Sequence, residues 1–163
     1  MERPYTRKSK YREKSYIKGI PGSKITRFEL GKTNGVFPYA VNLVSAENKQ
    51  LRHNALESAR VTINRSITKA VGDNGYHLIV KAYPHHIIRE HKIAAGAGAD
   101  RFSKGMKKAY GKPAGVAAQV KTGTTIISLR IDDAHIDSAR AALLRATKKL
   151  GCAYKIEVQK LSA

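Results

Sequence analysis

Apolar residues between positions 55 and 71 recur every four residues: Ala55, Ala59, Ile63, Ile67 and Val71, with Leu56 and Ala70 beside them. That spacing lays one stripe along a helix and predicts an amphipathic one, stopped by Gly72 and begun between Ser45 and Asn54. Arg52, Arg60, Arg65 and Lys69 fall on its polar surface. A second stripe, Ile136, Ala139, Leu143, Ala146 and Leu150, predicts another helix with Arg145, Lys148 and Lys149 off the stripe. Asp132 or Asp133 is placed to cap its start and Gly151 to end it. Elsewhere the apolar pattern shortens to runs rich in β-branched and aromatic residues, which predict strands over 24–30 (KITRFEL), 36–44 (VFPYAVNLV) and 76–83 (YHLIVKAY). Pro38 predicts a bulge or a sheet edge in the second of these. The turn GDNG (72–75) leads into the third, and 85–93 continues extended after Pro84. Further strands are predicted over 115–123 and 124–131, joined by a tight turn at Thr122–Gly123, and over 154–160. This order predicts an α+β fold in a single domain, 1–163, with two helices packed on a mostly antiparallel sheet.

Two segments lack any such pattern. The first, 1–20, has almost no apolar periodicity before Ile17, so it has little with which to bury itself. The second, 94–114, is rich in glycine and contains GAGADRFSKGMKKAYGKPAG at 96–115. About 20 residues without secondary structure inside a compact domain signal function or disorder.

Charge separates these segments from the rest. The chain of 163 residues holds 31 Lys and Arg against 12 acids, a net charge of +19. Residues 1–32 contribute +7 and residues 81–113 contribute +6, whereas 33–80 add only +2 and 114–163 add +4. An excess this large repels itself in a compact state, and its ordinary use is to meet a polyanion. No run of about 18 apolar residues is present to span a bilayer, and no signal-peptide core is visible. Glu2, Glu13 and Glu29 argue against a transit peptide. One cysteine, Cys152, excludes an internal disulfide and fits a reducing compartment.

The glycine-rich segment invites comparison with a phosphate-cradling loop, and the comparison fails. Five residues, not four, separate Gly105 from Gly111, and Lys112 is followed by Pro113, which supplies neither a hydroxyl nor an N–H. A dinucleotide fingerprint fails too, since Gly96 and Gly98 are followed by Arg101 where the third glycine belongs. His85 and His86 are adjacent, so on a strand they face opposite ways, and no acidic cluster joins them or His91 to make a metal site. Cys152 sits beside a helix C-terminus, which disfavours a thiolate, and reads as a core residue. Asp132 and Asp133 read as helix caps. No catalytic residue, cofactor or metal is expected.

What remains is chemistry for RNA. In the arm Tyr5, Tyr11 and Tyr16 are interleaved with Arg3, Arg7, Lys8, Lys10, Arg12, Lys14 and Lys18. Cations neutralise phosphates, while tyrosine and arginine planes stack on unpaired bases. The loop offers Arg101, Lys104, Lys107, Lys108 and Lys112 with one acid, Asp100, and two rings, Phe102 and Tyr110. Its glycines let the main chain approach a polyanion closely. Lys24, Arg27, Arg60, Arg65, His85, His86 and Arg89 extend the expected RNA contacts into the body of the protein.

Three stretches carry a family resemblance: RPYTR (3–7), ALESARVTINR (55–65) and, above all, AGAGADRFSKGMKKAYGKPAG (95–115). They resemble the archaeal and eukaryotic large-subunit ribosomal protein L-ten-e, counterpart of bacterial L-sixteen, and the resemblance covers essentially the whole chain. It implies an α/β-hammerhead fold, binding to large-subunit ribosomal RNA, and neighbouring large-subunit proteins as partners. It implies that the arm matching 1–20 threads into ribosomal RNA. It implies that the loop reaches toward the peptidyl transferase centre and the acceptor ends of tRNA. The location implied is cytoplasmic, in the large ribosomal subunit, with no membrane contact and no homo-oligomer. Two rival readings stand beside it: a free-standing RNA chaperone or regulatory RNA-binding protein, and a nucleotide-dependent enzyme.

Overall fold

In the computed structural model, residues 17–90 and 111–161 are described; the arm cations and most of the basic loop lie outside them. The elements in chain order are β1 (Glu29–Gly31), β2 (Tyr39–Ser45), β3 (Lys49–Arg52), α1 (His53–Val71), β4 (Tyr76–Val80), β5 (His86–Glu90), β6 (Lys112–Val120) and β7 (Thr125–Ile131). A 3-10 turn (Asp133–His135), α2 (Ile136–Leu150) and β8 (Tyr154–Lys160) follow. The strands form two sheets, one of five strands ordered β1-β4-β7-β2-β8 and one of three ordered β3-β6-β5. Every pairing is antiparallel. The fold is α+β, with two helices packed against antiparallel sheets.

The helices form because their stripes find a common core. Leu56, Ala59, Ile63 and Ile67 of α1 are buried, as are Ala139, Ala142, Leu143, Ala146 and Leu150 of α2. The alanines keep both surfaces low, so the helices pack against each other while α2 also rests on β2, β7 and β8. Helix α1 touches β4 of the large sheet and β3 and β6 of the small one, and so ties the two together. Val41, Leu43, Leu78, Leu129 and Ile131 complete the core from the large sheet, all 0% exposed. Burial on this scale is the main stabilising term, at about 25 cal/mol per Å² of apolar surface.

Several elements depart from the periodicity. Of the segment 24–30 only Glu29 and Leu30 are strand, as part of β1. The backbone N–H of Lys24 leaves the ladder direction and donates to Nδ1 of His53 at 2.8 Å, while Ile25 is buried in the main core. Strand β2 starts one residue past Pro38 and is interior, between β7 and β8; its irregularity falls at Leu43/Val44 rather than at the proline. Strand β3 has one buried apolar residue, Leu51, too short a pattern to read from sequence. Strand β4 ends at Val80, because the next two N–H groups, of Lys81 and Ala82, both turn to the carbonyl of Ile126. Asp132 and Asp133 make no side-chain cap; the 3-10 turn intervenes, and His135 N–H donates to the carbonyl of Asp132 at 3.1 Å.

The turn at Thr122–Gly123 is present, closed by Thr124 N–H to the carbonyl of Lys121 at 3.1 Å, with Gly123 at φ +81°. It makes no hairpin. Strand β6 pairs with β3 and β5, and β7 pairs with β2 and β4, so the turn carries the chain from one sheet to the other. Gly123 N–H to Ser45 carbonyl (2.8 Å) and Thr122 N–H to Asn48 Oδ1 (2.9 Å) pin it to the end of β2. Local spacing suggested partners that long-range packing reassigned.

Candidate nucleic-acid interface

The small sheet is where the two basic segments begin. Strands β5 and β6 are antiparallel neighbours, and residues 91–111 connect them, so the basic loop is the connection of a two-stranded ladder. At its base Glu90 stands opposite Lys112. Gly111 has φ +110°, a region that side chains with a Cβ rarely enter. Its carbonyl accepts a bond from Nη1 of Arg89 at 3.0 Å. Strand β6 begins at Lys112, so Lys112, Pro113 and Ala114 belong to the ladder rather than to the expected loop 94–114.

The arm joins the same sheet. Ile17, the first described residue, is 7% exposed and clusters with Ile87 of β5 and Val116 of β6. Ile87 and Val116 are cross-strand partners, and such pairs are the units from which sheets draw stability. An apolar residue at the end of a charged run thus anchors the chain between the strands that carry the basic loop.

Arg3, Tyr5, Arg7, Lys8, Lys10, Tyr11, Arg12 and Lys14 of the arm, and Arg101, Lys104, Lys107 and Lys108 of the loop, lie outside the described residues. Lys18, Lys24, Arg27, Arg65 and Lys112 are exposed. Arg60 is half-buried and forms a two-point ion pair with Glu57, Nε to Oε2 at 2.9 Å and Nη2 to Oε1 at 2.5 Å. That pairing holds the Glu57 carboxyl below and the Arg60 guanidinium above their ordinary values, chiefly through the hydrogen bond. Such a pair keeps Arg60 charged but engages its donors and offsets its charge with a carboxylate, so it is less available to a phosphate than exposed Arg65.

The adjacent histidines part company. His85 is exposed and its ring lies 4.5 Å from that of Tyr83, tilted by 45°. His86 is 2% exposed, with Nδ1 3.3 Å from Nε2 of Gln119 and no partner for Nε2. Burial lowers its pKa and favours the neutral ring. Arg89 is 7% exposed. His86 and Arg89 therefore stand inside the fold as supports of the β5–β6 ladder, because β5 is buried on both faces from His86 to Arg89.

His53 couples the arm side to α1. It accepts the Lys24 N–H, and burial first, then Lys24 and Arg52, lowers its pKa. A neutral imidazole is what this bond requires. Sequence reading also passed over Phe28, Lys81 and Tyr83. The rings of Phe28 and Tyr83 stack at 5.0 Å and 26°. The signal was the alternation in KAYPH (81–85), which exposes Lys81, Tyr83 and His85 and buries Ala82 and Pro84.

Comparison with known sequences matches the chain to a family. The model of the family described as Ribosomal protein L16p/L10e matches residues 2–157. The large ribosomal subunit protein uL16 of Archaeoglobus fulgidus is 46% identical over 160 residues, covering 98% of this chain and 88% of that one. Its namesake from Staphylothermus marinus is 46% identical over 147 residues, 90% of this chain and 81% of the relative. That of Hyperthermus butylicus is 43% identical over 155 residues, 95% and 83% respectively. The match runs through arm, both sheets, both helices and loop, and the chain belongs to the ribosomal protein L16p/L10e family.

Proposed function

We propose that this chain is a structural constituent of the large ribosomal subunit that binds ribosomal RNA through its arm and exposed cations and helps position tRNA with its basic loop. The observation that carries the reading is the common root of the two basic segments: Ile17 packs on Ile87 and Val116, the strands that the loop connects. A rigid ladder gives two otherwise unpatterned basic chains fixed points of departure. Ordering of the arm on RNA defers its entropy cost to assembly and lets it enter crevices closed to a folded domain.

The chemistry is electrostatic and steric. Each phosphate neutralised releases condensed counterions, so eight contacts give a log–log salt slope of about −6 to −7. Base planes meet tyrosine and arginine planes, and peptide bond formation is left to RNA. Names of the relatives, as large-subunit proteins, support the assignment.

Sucrose-gradient fractionation of cell extract at low and high salt tests it. The expected result is stoichiometric co-migration with the large subunit that weakens only at high salt. Migration as a free protein, or with scattered RNAs at every salt, would replace this reading with that of an RNA chaperone.

A further inference from the structure

The segment after β4 holds an aromatic surface that neither the arm nor the loop accounts for. Tyr83 is 54% exposed, the one exposed phenylalanine or tyrosine ring among the described residues. One side of its ring is backed by Phe28, 5.0 Å away and nearly parallel at 26°. Phe28 itself is half-buried and packs on the main core, so the stack stands on a fixed base. His85 lies 4.5 Å from Tyr83, tilted at 45°, and is itself exposed, so the aromatic surface continues onto the imidazole.

The backbone holds these rings in place. Val80 N–H donates to the Phe28 carbonyl at 2.7 Å, one step beyond the β1–β4 ladder. Lys81 and Ala82 N–H groups share the Ile126 carbonyl, and His85 N–H donates to the Tyr83 carbonyl at 3.0 Å. Pro84, buried between the two exposed rings, fixes its own φ. The alternation places Lys81 on the exposed side with Tyr83 and His85, and Arg27, next to Phe28, is exposed as well.

A single exposed aromatic residue needs no explanation. Three contiguous rings on braced segments beside β1 and β4, with cations at hand in a chain of net charge +19, form a combination with a specific use. Aromatic planes backed by rigid structure and flanked by Lys or Arg are how proteins hold the unstacked bases of single-stranded RNA. We infer that Phe28, Tyr83 and His85 form a stacking shelf for one unpaired RNA base, laid against the exposed Tyr83 and His85 rings, with Lys81 and Arg27 meeting the flanking phosphates. The inference rests on the RNA-binding reading above and adds to it a base-contacting site outside the arm and loop.

The chain has no tryptophan, so Tyr83→Trp in the full-length protein supplies a single indole reporter at the shelf. The probes are an oligoadenylate and an abasic oligonucleotide of equal length and charge, each end-labelled so that binding is read independently by anisotropy. Oligoadenylate should quench the indole and the abasic strand should bind without quenching it. Tyr83→Ala should weaken oligoadenylate binding roughly tenfold, as loss of one stacked base does, and leave abasic binding unchanged. Tyr83→Phe should keep the wild-type affinity, which separates loss of the ring plane from loss of the hydroxyl. Binding of both strands with no quenching and no effect of Tyr83→Ala would overturn the shelf and leave the RNA reading standing. Absence of salt-dependent binding to either strand would overturn both.

Discussion

The inner face of the five-stranded sheet and the three-stranded sheet bury different chemistry. The first presents Val41, Leu43, Leu78, Leu129 and Ile131 to the two helices, with no polar side chain among them. The second buries Ile17, Ile87 and Val116 as its own small cluster, and beside them His86 and Arg89. Burying a titratable group is costly unless it is paired; the small sheet places such groups beside its cluster, whereas the large sheet keeps its buried His77 one position from Leu78, on the opposite face of β4 from the helices. The small sheet also holds the base of the basic loop, through the Arg89–Gly111 bond, and the root of the arm. Most of the apolar core lies against one sheet, and the basic segments are anchored on the other.

The largest expected effect tests that division from the charged side. Replacing Lys104, Lys107, Lys108 and Lys112 together with Ala should reduce the salt slope of RNA binding by roughly 3, about a thousandfold in affinity near 0.1 M salt if each meets a phosphate. The unfolding free energy in urea should stay within about 0.5 kcal/mol of the parent, and tRNA-dependent function should fall. A collapse of the folded state instead would make the loop part of the core and erase the comparison. The complementary variant, Leu129→Ala, removes a side chain that is 0% exposed in β7, with β2 on one side and β4 on the other. It should cost about 3 kcal/mol in urea denaturation and leave the RNA affinity of the folded fraction unchanged.

A smaller effect sharpens the boundary between ladder and loop. Gly111→Ala imposes a Cβ at φ +110° and should cost about 1–2 kcal/mol. Amide hydrogen exchange should then speed up in β5 and β6 and not in β2, β4 or β7. Equal acceleration in both sheets would show that they open as one unit.

The two regions were also unequally legible in the sequence. Helices α1 and α2 and strand β8 could be read because their patterns are long and local: Ala59, Ile63 and Ile67 mark one face without reference to anything distant. The α+β class followed from that order. Division into two sheets did not, because residues 115–131 look like a hairpin until β2 and β4 claim β7. Strand β3, with Leu51 alone to mark it, acquires its identity from Ala118 across the ladder. Charge located the candidate interface, since composition is legible without structure. It did not reveal which cations are spent internally: Arg60 faces Glu57 and Arg89 faces Gly111, and neither partnership has a local signature strong enough to read.

Acid should divide the two sheets by the smallest effect. His53, His77 and His86 all have pKa values lowered from 6.5, each first by burial. Arg130 adds to the lowering at His77, while Glu29, with Oε2 3.9 Å from Nε2, opposes it. A histidine whose pKa is depressed in the folded state binds its proton more readily when unfolded. Stability is therefore fully present above about 6.5 and declines as pH falls through that value toward the folded-state values. The three lie in different places: His77 in the large sheet, His86 in the small one, and His53 at the junction held by Lys24. Both ring nitrogens of His77 lack a partner, so His77→Phe loses no hydrogen bond and should flatten the decline. His86→Gln removes titration while keeping a group able to meet Gln119. If acid exchange quickens first in β5 and β6, and His86→Gln alone suppresses it, the small sheet is the one that opens. If only His77→Phe suppresses it, the weaker point lies in the sheet with the larger apolar core, and buried polar groups outweigh core size in setting where this fold yields.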